Sequence, residues 1–311
     1  MNEANRPARA TAHAEYAGFS GGFLLGLGAY GLWGVLPIYF KALASVPAVD
    51  IVAHRVLWSL PFLAVLIALS RGWRRVRAVL VSHKTLGVLV LTSVLIAANW
   101  LLYVYAVTSG HILAASFGYY LNPLANVLLG RFVLHERLSR LQWTAVAIAA
   151  AGISVLAAGA LGQLWISLTL CISFALYGLL RKVVPADAIT GLAIETTLLF
   201  PLAVIWLAWQ ASAGTPVMGT DEMQTSLLLA AGIVSTTPLL LFNAAAKRLP
   251  YSMLGMLQFI APTLQFLLAV LLYGEQFTAS HAVAFSAIWL ALALYVTGLL
   301  RARAPLPQPP E

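Results

Sequence analysis

Hydrophobic residues in this chain fall into ten long runs, near residues 20–40, 49–69, 86–107, 111–130, 141–158, 163–180, 189–209, 225–245, 251–273 and 281–300. Polar positions collect in the short gaps between them. Each run approaches the roughly 20 apolar residues that a helix needs to cross a bilayer. Basic residues are placed unevenly: 16 of the 18 Lys and Arg lie in the two tails or in the gaps after runs 2, 4, 6 and 8. The other five gaps hold only Lys41. Loops rich in Lys and Arg stay in the cytoplasm, so the pattern predicts ten transmembrane helices with tails 1–18 and 303–311 both cytoplasmic.

Composition agrees. With 61% hydrophobic and 9% charged residues and a mean hydropathy of +0.89, the chain has too little polar surface for a soluble domain. The net charge of +8 is accounted for by loops facing anionic lipid head groups, so no nucleic-acid partner is called for. Cys171, in run 6, is the one cysteine, which excludes an intramolecular disulfide. Gly26-Leu-Gly28-Ala-Tyr-Gly31 matches G-x-G-x-x-G, but it sits inside a bilayer helix with no strand before it. His135-Glu136 begins like a zinc-protease motif and lacks the second histidine. No metal, cofactor or catalytic residue is expected. The chain has no paired acids or Ser/His set at mid-depth for an enzyme, and no lysine deep in a run for a retinal receptor.

Internal repeats are more informative. A shift of 139 residues places Tyr119 on Gln258, Pro123 on Pro262, Asn126 on Gln265 and Glu136 on Glu275. A shift of 140 places Arg55 on Glu195 and Pro61 on Pro201, and a shift of 144 places Leu32-Trp33-Gly34 on Leu176-Tyr177-Gly178. The chain therefore reads as two five-helix halves, 19–158 and 163–302. Five is odd, so the second half should be inverted. The charges agree independently: Arg71, Arg74, Arg75, Arg77 and Lys84 follow run 2, whereas Asp221 and Glu222 follow its counterpart, run 7. Inverted repeats are a recurrent plan of secondary transporters, with the substrate held near the midplane.

Candidate binding residues follow from this plan. Tyr119, Asn122 and Asn126 share one helical face around Pro123, and Gln258 and Gln265 flank Pro262 at the equivalent places. A proline removes a backbone hydrogen bond and kinks a helix, so two kinked, amide-lined helices predict a polar cavity. Helix-to-helix glue is the competing role for the same amides. Asn99 and Tyr103 in run 3, with Trp33 and Tyr177 in the first runs of the two halves, complete the expected lining. Arg55 and Glu195, the two charges set inside runs, are candidates for gating or proton coupling together with Pro123 and Pro262. Inversion puts them near opposite sides, too far apart for a salt bridge. Ser139 with Gln142 reads as a capping box opening run 5, and Glu136 and Glu275 as structural. The glycines of run 1 predict close helix contacts.

These residues resemble a known family. AYGLWGVLPIYFKAL, VDIVAHRVLWSLPF, NWLLYVYAVTSGHILAASFGYYLNPLANVLLGRF and MLQFIAPTLQFLLAVLLYGEQF are similar to the EamA type of the drug/metabolite transporter superfamily, and within it to the RarD branch, over residues 20–300. The resemblance implies a central cavity lined by both halves, efflux of amino acids or other metabolites, and an association with chloramphenicol sensitivity. The expected function is a secondary transporter of the bacterial inner membrane that moves a small amphipathic metabolite, an amino acid or drug-like compound, by alternating access. Protons are a candidate coupling ion. A channel or signalling protein built on the same bundle is the alternative.

Overall fold

The computed structural model describes the backbone of residues 6–109, 111–156, 162, 164–214, 218–219, 221–272 and 279–303. Among these residues it is helical, without strands. The helices are α1 (Arg6–Ala42), α2 (Ala48–Leu69), α3 (Trp73–Val81), α4 (His83–Thr108), α5 (Ile112–Phe132), α6 (Arg140–Leu156), α7 (Leu164–Val183), α8 (Ala188–Ser212), α9 (Glu222–Ala246), α10 (Tyr251–Leu257), α11 (Ile260–Leu271) and α12 (Ala279–Arg303). Eight segments are long and apolar enough to cross a membrane: those of α1, α2, α4, α7, α8, α9, α10 with α11, and α12. Helix α5 and the shorter α6 lie outside that set.

The surface identifies the solvent. Leu202, Leu69 and Leu271 are 65%, 78% and 80% exposed, while Asp50, Asn122, Asn126, Arg181 and Glu195 are buried. Water would favour the reverse arrangement. Lipid favours this one, because a charge in hydrocarbon must turn inward and find partners. The chain is an all-α membrane protein.

Three elements differ from the hydropathy reading. Helix α1 starts at Arg6, so residues 6–18 continue the first run as helix. The gap after run 2 contains the amphipathic α3, which buries Val79 and exposes Trp73, Leu80 and its arginines. Run 9 breaks at Gln258–Phe259, one turn ahead of Pro262. The cause is the proline itself: Pro262 has no N–H for the Gln258 carbonyl four residues back, which accepts from Ala261 N at 3.2 Å instead.

Helix packing follows a definite set of pairs. Helix α2 packs on α8 and α9, α4 on α7 and α8, α1 on α9 and α11, α5 on α7 and α10, and α6 on α12. Small residues permit the closest crossings. A Cβ on Gly232 would overlap the Trp58 backbone of α2, and one on Gly255 would lie 2.7 Å from the Pro123 carbonyl of α5. In α1, Gly22, Gly26 and Gly34 face neighbours closely, whereas Gly31 meets open space. The predicted capping box forms: Ser139 N donates to Gln142 Oε1 at 2.8 Å, and Gln142 N to Ser139 Oγ at 3.3 Å. Glu136 accepts from the Tyr251 and Ser252 N–H groups, pinning the α5–α6 connection to the start of α10. Glu275 and the C-terminal residues 304–311 lie outside the described residues.

Candidate functional site

A narrow cleft runs between α2, α4, α8 and α9. Arg55 and Ser59 of α2, Trp100 of α4, Glu195 of α8, and Ser235 and Thr236 of α9 supply its principal polar and aromatic lining. It encloses about 20 Å³, room for roughly one ordered water. An apolar groove of about 220 Å³ shares Val56, Trp100 and Leu199 with the cleft and extends toward Trp206.

The antiparallel α2–α8 pair sets the cleft's two ends. At one end Asp50, fully buried, accepts from Trp206 Nε1 at 2.6 Å and from Gln210 Nε2 at 3.2 Å. One turn on, the Arg55 guanidinium lies over the Trp100 ring, 4.5 Å from its centroid. Among the described residues no carboxylate comes within ion-pair distance of Arg55, and its buried Nε has no hydrogen-bond partner. Ser235 Oγ is likewise buried and unpartnered. At the cleft's middle, Thr236 Oγ1 donates to Ser59 Oγ at 2.5 Å.

The other end is built on an ion pair and is more densely bonded, although Arg181 Nε and Nη1 make no hydrogen bond. Glu195 Oε1 accepts from Thr92 Oγ1 at 2.6 Å and lies 3.6 Å from Arg181 Nε, while Oε2 accepts from the Tyr177 hydroxyl at 3.3 Å. Asn243 Nδ2 donates to that hydroxyl at 3.1 Å. Arg181 in turn donates from Nη2 to the carbonyls of Asp187 and Ala188 at 3.3 and 3.2 Å. Its guanidinium fills the space over Gly191, where a Cβ would overlap it. Asp187 caps α8 through Thr190 N at 3.0 Å and Thr190 Oγ1 at 2.7 Å. Burial pushes the Asp187 carboxyl up, but the bonds from Thr190 and the nearby Arg75 outweigh it and hold its pKa below the ordinary value. Beyond the helix ends, Lys182 donates to the carbonyls of Ala246 and Leu249, and Lys247 returns bonds to those of Lys182 and Val184. Burial and the neighbouring Arg181 and Lys182 bring the Lys247 ammonium down to about 8.

The residues expected at a cavity are placed as follows. Of all the sequence candidates, Arg55 and Glu195 line the cleft, and they stand at its two ends, each with different partners. Tyr177 bonds to Glu195 from behind. Asn99 donates to Leu170 O and Ser173 Oγ, both at 2.9 Å, and accepts from Tyr119 at 3.3 Å; the Tyr119 ring packs on Tyr103 at 5.7 Å. Asn126 Nδ2 donates to Gln258 Oε1 at 3.0 Å, joining α5 to the break between α10 and α11. Asn122 is fully buried with both amide atoms unpartnered. Gln265 faces outward and donates to the Trp33 carbonyl at 3.0 Å, while the Trp33 ring packs among Tyr30, Phe174 and Phe242. Pro123 lies inside an unbroken α5, and Pro262 is the third residue of α11.

Arg181, Thr92, Ser59, Asp50 and His54 were not singled out from sequence. Arg181 reads as a cytoplasmic loop cation next to Lys182, yet it is 0% exposed. The signal available was its place directly after run 6, where the helix continues through Val183.

A buried polar seam inside an apolar helical bundle marks a polytopic membrane protein. Comparison with known proteins is more specific. The profile of the EamA-like transporter family matches residues 20–158. An uncharacterized transporter of Vibrio cholerae is 47% identical over 282 residues, covering 90% of this chain and 93% of the relative. The protein RarD of Escherichia coli is 47% identical over 283 residues, covering 88% and 93%. A solved crystal structure superposes with a TM-score of 0.69 at 21% identity, over 92% of this chain and 99% of that one, a likeness of fold alone. The chain belongs to the EamA-like transporter family of the drug/metabolite transporter superfamily, as a RarD-like permease.

Proposed function

We propose that this permease is a secondary carrier for a small metabolite, built from two inverted five-helix halves in ten spans and working by alternating access. One observation carries the reading. If runs 1–5 are exchanged with runs 6–10, the principal helix pairs map onto one another: α1–α9 becomes α7–α4, α2–α9 becomes α8–α4, α5–α7 becomes α11–α1, and α2–α8, α5–α10 and α6–α12 each return to themselves. A pseudo-twofold axis through the bundle has that property. The α2–α8 contact is antiparallel, as inversion requires, since Asp50 near the start of α2 meets Trp206 and Gln210 near the end of α8. Relatives named RarD or transporter are bacterial, which supports an inner-membrane location; the basic residues gathered in the tails and alternate gaps favour cytoplasmic termini.

In this reading the cleft is the closed form of a central pathway. Asn99, Tyr103, Tyr119, Asn122, Asn126, Tyr177, Trp33, Gln258 and Gln265 contribute to its wall in more open states, and the Pro123 and Pro262 segments supply the hinges. Glu195, the one acid lining the cleft among the described residues, is the group through which protons would couple.

Proteoliposomes of the purified protein, screened with amino acids, purines and antibiotics at two pH values, test the carrier. Asn122→Ala and Gln258→Ala should lower flux while leaving membrane insertion intact; unchanged flux in both removes the midplane site. Topology has a separate test. With Cys171 replaced, single cysteines in 71–84 and 211–224 should label from opposite faces, and labelling from one face ends the inverted-repeat reading.

A further inference from the structure

Arg55 is a cation beside aromatic groups, with no acid at ion-pair distance among the described residues. Its partners are the face of Trp100 at 4.5 Å and the electrostatic neighbourhood of the Tyr39, Tyr103 and Tyr119 hydroxyls. The two nearest acids by sequence or cleft geometry are already committed. Asp50 is held by Trp206 and Gln210, and Glu195 by Arg181, Thr92 and Tyr177. A guanidinium over an aromatic face recovers part of its lost hydration, but less than a carboxylate partner would supply. Two buried donors lining the cleft, Arg55 Nε and Ser235 Oγ, lack acceptors. Arg55 Nε can only donate and Ser235 Oγ is able to, so one acceptor group would serve both, and the guanidinium charge favours an anionic one. Beside this head position, the groove that shares Val56, Trp100 and Leu199 with the cleft offers about 220 Å³ of apolar lining.

We propose that Arg55, Trp100 and Ser235 form a carboxylate-binding subsite, and that the adjoining groove takes the apolar body of the same ligand. The substrate class is thus a small organic acid with a hydrocarbon or aromatic portion. This rests on the carrier reading above for how the ligand arrives, because the closed cleft admits only a water-sized group. The guanidinium makes charge-assisted bonds to the carboxylate, and Ser235 donates a third. Trp100 stays on the guanidinium face and forms the wall between head and body. An uncharged amide in place of the acid would lose the charge assistance, and an amine would meet Arg55 as a like charge.

The test uses the full chain in nanodiscs of zwitterionic lipid, so that no anionic lipid competes. Binding of phenylpropanoate, phenylpropanamide and phenylethylamine is read by titration calorimetry. The acid should bind, with amide and amine weaker by roughly tenfold or more; Arg55→Gln should weaken the acid by roughly 10- to 100-fold, and Arg55→Lys by less. The subsite is overturned if no acid binding is found, if the amide binds as tightly as the acid, or if Arg55→Gln binds like the parent. The acid-against-amide comparison needs no variant, so it decides even if Arg55→Gln folds poorly. Flux separates the two readings. Acid that binds through Arg55 but is never moved leaves the subsite standing and ends the carrier. Flux of another solute, indifferent to Arg55, does the opposite.

Discussion

The two arginines at the ends of one cleft, Arg181 fully buried and Arg55 partly so, are held in opposite ways. Arg181 has a carboxylate at 3.6 Å, two carbonyls within 3.3 Å and a glycine hollowed to fit it. Arg55 has an aromatic face. In hydrocarbon surroundings a charge is costly until it is paired. The Arg181–Glu195 pair has the carboxylate that Arg55 lacks, even though Arg181 Nε and Nη1 make no hydrogen bond, and its removal should be felt by the fold. A cation without a carboxylate adds little to the fold and keeps its binding capacity for something else.

Breaking the ion-paired end should have the largest effect on stability. Arg181→Met strands the Glu195 carboxylate with only Thr92 and Tyr177, a loss of about 3–5 kcal/mol. Unfolding of the purified protein in detergent measures it. The double variant Arg181→Met/Glu195→Met should recover much of that loss, because it leaves no lone charge. Single losses that simply add would show the pair is not a unit. Next comes Gly191→Ala, whose new methyl would displace the Arg181 guanidinium, at about 1–3 kcal/mol. The same substitution in the Arg181→Met background should cost far less, since the group it collides with has gone.

Asp187→Ala is expected to cost about 1 kcal/mol through loss of the α8 cap. The Arg75–Asp187 contact at 3.7 Å is exposed on both sides and adds little. The acid limb carries the distinguishing sign. The folded Asp187 carboxyl titrates below its ordinary 3.8, so its stabilisation is complete above that value and drains away as pH falls through it. An unfolding series from about pH 6 down to about pH 3 should therefore converge for parent and Asp187→Ala at the acid end. A gap between them that widens toward acid pH would contradict the cap's charge.

Hydropathy made the all-helical membrane bundle legible because lipid imposes its length and polarity on every span, and a shift of 139 residues aligns prolines and amides such as Pro123 with Pro262. Ser139 and Gln142 were legible because a capping box is local. What could not be read were partnerships between distant helices. Nothing in the sequence near Thr92 announces Glu195, 103 residues on, and nothing near Asp50 announces Trp206. Arg181 was misplaced for a related reason: a basic residue one turn from a span's end looks like a loop cation unless the neighbouring helix is known to wall it in. The break before Pro262 follows the proline rule, since the missing donor acts on the preceding turn, whereas Pro123 sits in an unbroken α5.

The smallest stability effect, and the one that most sharpens the contrast, belongs to Arg55→Met. The side chains are similar in length, and the substitution removes a partly buried cation that no acid balances, together with one cation–π attraction worth about 0.5–2 kcal/mol. Relief of the desolvation penalty nearly offsets the missing attraction to Trp100. The unfolding midpoint should therefore stay within about 1 kcal/mol of the parent, on the stabilising side if the desolvation dominates. The Ser59–Thr236 hydroxyl bridge, one turn away, uses the Arg55 carbonyl rather than its guanidinium and should be unaffected. Measured beside Arg181→Met under one detergent condition, the comparison is direct. A destabilisation at Arg55 as large as that at Arg181 would mean that its aromatic neighbours already satisfy the charge, and the two ends of the cleft would then be alike in function as well as in residue type.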